Sequence, residues 1–169
     1  MIKEKIKLPN FGELGIDIKE YLWKNLPSSF TEFDSKFSQT FKTHMIKWMD
    51  KKEINLDLYS QYKHILMYMT FVNFRKELQL ANLLNKSNFK IKPTPSFVDM
   101  KYKVDLYGTN PNNELIFIQV KPHDNYNNEY DLTNLLEYSK KHSATPYIAF
   151  KQNQIWKIKR LKTNEKNSN

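Results

Sequence analysis

Six bulky apolar residues, Phe30, Phe33, Phe37, Phe41, Met45 and Trp48, recur at intervals of 3, 4, 4, 4 and 3. That spacing draws one stripe along a helix and predicts a core-packing face, with His44 and Trp48 as partners of the packing. Ser28 or Ser29 is a suitable N-cap for it, with Glu32 in the first turn. Before it, Ile18, Tyr21, Leu22 and Trp23 mark a short helix over residues 16–26, stopped at Pro27. The first fifteen residues read as a loosely packed arm or a short strand. After Asn55 or Asp57 as cap, a long helix is predicted over residues 58–86. Its middle, Ile65 to Val72, is apolar nearly all round, and Phe74, Leu78, Ala81 and Leu84 form a narrower stripe towards its end.

The pattern then changes period. Asn88 to Lys92 reads as a turn and a first strand ended by Pro93 and Pro95. Lys101 to Gly108 and Glu114 to Pro122 read as two further strands, joined by the Thr109-Asn-Pro-Asn-Asn113 turn. Because strand side chains alternate faces, Lys103, Asp105 and Tyr107 share one face, and Gln119 and Lys121 share one. An acid, an amide and an ammonium at the ends of adjacent strands are costly to cluster in a core. They suit a divalent metal ion and a phosphate. Asp131 is placed as the N-cap of a helix ending near His142, with Leu132, Leu135 and Leu136 inward. Residues 146–150 and 154–158 read as two closing strands around a Gln152-Asn153 turn.

Asp105, thirteen intervening residues and then Gln119-Val-Lys121 resembles the PD-(D/E)xK nuclease superfamily, in the variant with glutamine in place of the acid before the lysine. The resemblance covers about Tyr62 to Leu161. Asp17-Ile-Lys19, Asp34-Ser-Lys36, Gln61-Tyr-Lys63 and Asp99-Met-Lys101 fit the same loose triplet, but only Gln119-Val-Lys121 ends an apolar strand that follows a second strand carrying an acid. The resemblance implies an α/β fold with a restriction-endonuclease-like core, a central mixed sheet of about four to five strands flanked by helices, and an N-terminal helical extension. Residues 1–60 would form that extension, 61–162 the nuclease core and 163–169 a disordered tail. It also implies Mg²⁺, with Mn²⁺ able to substitute, held by Asp105, the Gln119 amide oxygen, the Val120 carbonyl and Glu77. Lys121 would orient the attacking water and stabilise charge at the phosphate. Glu77 is the only acid after Asp57 in its predicted helix, and Asp99 is placed in the loop before the strand and set aside in favour of Asp105. Lys103, His123, Asn125 and Lys140 are candidate DNA contacts.

Charge adds a direction to this reading. Of the net charge of +9, residues 1–60 contribute little, with 10 lysines against 9 acids, whereas residues 61–169 hold 17 basic residues against 9 acids. The excess lies in the part that carries the candidate site, where it would attract a polyanion. An AT-rich genome, which yields Lys, Asn and Ile codons, accounts equally well for the total. The absence of cysteine removes disulfides and thiolate zinc sites, and suits a cytoplasmic location. No apolar run approaches the ~18 residues of a membrane span. There is no Gly-rich phosphate loop, HExxH or cysteine nucleophile to favour a small-molecule enzyme.

Two function classes remain from the sequence. One is a Mg²⁺-dependent DNA endonuclease of restriction or mobile-element type, or else a junction resolvase or repair nuclease. It would act as a homodimer in which each protomer cuts one strand. The other is a non-catalytic nucleic-acid-binding or assembly protein with the same core.

Overall fold

The computed structural model describes residues 6–121 and 129–162, without the side chains of residues 129–131. The chain divides into two compact units, residues 1–74 and 75–169. The first unit is helical. Its arm forms a one-turn helix, α1 (Phe11–Leu14), where a loose segment or strand was expected. Asn10 caps α1 from below and Gly15 closes it in the left-handed conformation at φ 77°. His44 Nδ1 lies 2.9 Å from the Leu14 carbonyl oxygen and Trp48 Nε1 donates to Glu13 at 3.2 Å, which ties α1 to the stripe helix. The helix α2 (Ile18–Asn25) follows, capped by Asp17 and ended one residue before Leu26 and Pro27.

The stripe forms α3 (Phe30–Lys51), and Phe33, Phe37, Phe41, Met45, Trp48 and Met49 are all buried. Phe33 and Phe37 stack at 5.3 Å between centroids. Ser29 is the N-cap, and Glu32 reaches back to accept from both the N–H and the hydroxyl of Ser28. Those two hydrogen bonds lead the causes that hold the Glu32 carboxyl down at about 2.

The long helix expected over 58–86 is continuous along its path but not uniform. After a 3₁₀ turn at residues 56–58 capped by Asn55, α4 (Tyr59–Lys63) leads into a π-helical stretch, His64–Met69, and then α5 (Thr70–Asn85). Among the described residues no helix is long and apolar enough to cross a membrane.

The second unit is an α/β layer structure around one five-stranded mixed sheet with strand order β1-β2-β3-β4-β5. The strands are β1 (Lys90–Pro93), β2 (Leu106–Thr109), β3 (Leu115–Val120), β4 (Thr145–Gln152) and β5 (Ile155–Arg160). Neighbours pair antiparallel except β3 and β4, which are parallel and joined through α7 (Glu129–Lys141). The order β2-β3-α7-β4 is the one the resemblance implies. Phe117, Ile148 and Phe150 project from one sheet face into a cluster with Val98, Val104 and Leu135, so α7 and a further helix, α6 (Ser96–Tyr102), cover that face. Ile116, Ile118 and Leu106 alternate with these residues and are buried from the other side. At the open side of β1, Asn85 at the end of α5 donates to the Ile91 carbonyl and accepts the Ile91 N–H at 2.7 Å.

Several local expectations need correction. Residues 101–108 do not form one strand: Lys101 and Tyr102 end α6, Lys103 turns left-handed at φ 59°, and β2 starts at Leu106. Asp131 is not an N-cap, because α7 already begins at Glu129. The final hairpin turns at Asn153 and Gln154, both with positive φ, one residue later than expected. That shift follows from β4 running on to Gln152. The turn favours the Asn at its first position, since asparagine tolerates the left-handed region.

Candidate functional site

Three chain segments of the second unit converge on one cluster of acids. Glu77 comes from α5, Asp99 from α6 and Asp105 from the residue before β2, and one carboxylate oxygen of each lies within 4.8 Å of the others. Glu77 is 8% and Asp105 9% exposed, well below the ordinary exposure of acids. Three carboxylates so close repel one another unless a cation or protons intervene. With hard oxygen donors only, the group could hold a metal ion of the Mg²⁺, Mn²⁺ or Ca²⁺ kind.

Asp105 is fixed from both sides. Its backbone N–H donates to the Ile118 carbonyl at 2.9 Å, and its carboxylate accepts the Val120 N–H at 2.6 Å. Gln119 lies between those two contacts in the chain. It pairs with Ile148 across the β3–β4 register, which puts it on the face covered by α6 and α7. Gln119 is 5% exposed, and its Oε1 accepts no hydrogen bond among the described residues. A buried amide oxygen without a donor is costly, and a cation is one partner that would satisfy it. Lys121 follows β3, and its backbone N–H donates to the Ala149 carbonyl at 2.8 Å.

Thr94 supports the acid from behind. Its hydroxyl donates to the carbonyls of Val104 and Asp105, and its N–H donates to the Asp105 carbonyl at 3.1 Å. The residue is 6% exposed, so water does not replace these bonds. Thr94→Val keeps the shape and removes the donor. It is expected to lower stability by about 1–3 kcal/mol, the cost of leaving buried carbonyls short of a partner. Urea unfolding checks this, with Thr94→Ser retaining most of the stability; equal midpoints for the valine variant and the parent would refute it.

The residues singled out in the sequence are distributed as follows. Glu77 and Asp105 meet in the acid cluster, and Val120 donates its N–H to Asp105. Asp99 is the correction: it is not in a loop but in α6, and it joins the other two acids. The signal was present, since Val98 and Tyr102 at i and i+4 mark an inward face for a one- to two-turn helix after Pro95. Lys103 is the left-handed C-cap of α6, half-buried, and Lys140 lies exposed near the end of α7. His123 and Asn125 lie outside the described residues, as does the 163–169 tail.

Fold and site thus define an α/β protein with a largely buried acidic cluster beside the end of β3 in a mixed sheet. No family model matches the chain, and no curated protein matches it. Among solved structures it is similar to Hjc, a Holliday junction resolvase from the archaeal hyperthermophile Archaeoglobus fulgidus. The two are 21% identical, with a TM-score of 0.45 over 51% of this chain and 73% of the resolvase.

Proposed function

We propose that this protein is a Mg²⁺-dependent DNA endonuclease of the restriction or mobile-element type. The observation that carries the reading is the convergence of Glu77, Asp99 and Asp105 within 4.8 Å, beside the strand end that bears Gln119 and Lys121. The basic excess of residues 61–169 supports a polyanionic substrate.

In this reading Asp105, Asp99 and Glu77 hold the ion, and Gln119 offers its unpartnered amide oxygen. When bound, the ion lowers the pKa of water, polarises a phosphoryl oxygen and neutralises charge on the leaving oxygen. Asp105 is kept in place by the Val120 N–H and by Thr94, so the ligand is positioned before substrate arrives. Lys121 places an ammonium at the scissile phosphate, where it orients the attacking water and stabilises the negative charge that develops. Glutamine adds no charge to the ligand set; Asp99 supplies the third anion that the sequence reading lacked. Two copies related by a two-fold axis would each cut one strand of a duplex.

The test is cleavage of supercoiled plasmid, linear duplex and a four-way junction, in Mg²⁺, Mn²⁺ or EDTA, beside the Lys121→Ala protein. Metal-dependent fragments, reduced at least about 100-fold in the variant with DNA binding kept, are expected. Binding without cutting of any substrate in either metal would replace the enzyme by a non-catalytic DNA-binding protein.

A further inference from the structure

Next to the acid cluster the second unit has a cleft of about 390 Å³, lined by Thr94, Phe97, Val98, Tyr107, Phe117 and Tyr138 among others. Its volume falls in the range of about 300–1,000 Å³ typical of small-molecule pockets. Its walls are dominated by flat rings. Tyr138 stacks on Tyr102 at 4.0 Å and on Phe117 at 5.2 Å, which fixes the rear wall. Phe97 and Tyr107 instead remain 56% and 37% exposed. Two large aromatic side chains are thus exposed at one cleft.

The cleft shares chain segments with the acids. Thr94 lines it while its hydroxyl holds the carbonyl of Asp105. Val98 lines it, and the next residue is Asp99. A basic residue stands beside one wall: Lys92 is exposed, and the β1–β2 register sets it directly opposite Tyr107 on the same sheet face. Lys101, also exposed, lies two residues beyond Asp99.

We propose that this cleft takes one unpaired nucleobase of the DNA substrate, stacked on Phe97 and Tyr107 while Lys92 meets the adjoining phosphate. The proposal rests on the nuclease reading above. A base in a duplex shows only its edges, so its face reaches such rings only when the base is unpaired or turned out of the stack. An aromatic ring accepts any base this way, because each has a π-face. The cleft therefore selects for distortion in the DNA rather than for sequence.

The experiment uses the full chain in EDTA, where nothing is cut. The probes are a duplex carrying a single bulged 2-aminopurine and the fully paired duplex of the same sequence. The bulged duplex is expected to bind about ten-fold or more tightly with its fluorescence quenched. Phe97→Ala and Tyr107→Ala are each expected to remove most of that preference and leave paired-duplex affinity nearly unchanged. Equal affinity for both duplexes without quenching overturns the cleft while leaving the nuclease reading intact. A preference that survives both substitutions also overturns it. No binding to either duplex overturns both.

Discussion

Asp105→Asn is expected to reduce cleavage at least about 100-fold without unfolding the protein. Asparagine has the same shape, and its amide oxygen still accepts the Val120 N–H that Asp105 takes at 2.6 Å. What it removes is one charge from three carboxylates within 4.8 Å. The parent is therefore expected to gain more melting temperature than the variant when Mg²⁺ or Mn²⁺ replaces EDTA. An ion that binds only the folded state stabilises it by about 2.7 kcal/mol at one hundred times its Kd, and the variant forfeits much of this. Melting curves with and without metal, beside a cleavage assay, read both effects together. Asp105→Ala makes a poorer probe, because it leaves the Val120 N–H unpaired at a cost of about 1–3 kcal/mol. An asparagine variant that still cuts at the parent's rate would remove Asp105 from the chemistry.

Gly108→Ala is expected to be among the most destabilising single changes in the sheet. A Cβ at residue 108 would stand 1.8 Å from the Lys90 carbonyl oxygen and 2.8 Å from its carbon. The obstacle is backbone, so no side-chain rotation relieves it. Gly108 pairs with Ile91 and with Ile116, and the strand must either leave β1 or bend away from β3. Overpacking usually costs 1–3 kcal/mol, and here about 3 kcal/mol or more is expected. For a chain of this length that lowers the melting temperature by roughly 6–12 °C. Since β1 leads through Thr94 to the Asp105 carbonyl, the acid cluster should loosen as well. Circular dichroism melts check the first effect, and a shift below about 2 °C would refute the clash.

What was legible in the sequence follows from the length of each signal. The stripe from Phe30 to Trp48 spans six apolar positions at helical spacing, and α3 is present from Phe30 onward. The strand from Leu115 to Val120 was legible because the apolar run Leu115-Ile-Phe-Ile118 lies between a polar turn and Gln119-Val-Lys121. By contrast, α6 has seven residues, too few for periodicity to outweigh the prolines around it. Reading residues 101–108 as one strand followed from that omission, and it left Asp99 outside the acids it stands with. The π-helical stretch at His64–Met69 was invisible for a different reason. A segment apolar on every side has no stripe whose drift would reveal a change of pitch. The resemblance makes the Gln119 amide oxygen a metal ligand, but only the structure shows that this oxygen is buried without a donor among the described residues.

The Asn85–Ile91 contact has a consequence for colloidal behaviour. An open strand edge is a template on which another copy can polymerise. Along β1 the outward-facing groups belong to Ile91 and Pro93. The Asn85 amide occupies both the N–H and the carbonyl of Ile91, as one residue of an added strand would, and proline has no N–H to offer. Lys90 and Lys92 place positive charge on either side. One asparagine at a helix end thus serves as a molecular stopper, sparing this margin of the sheet from fibril-like growth.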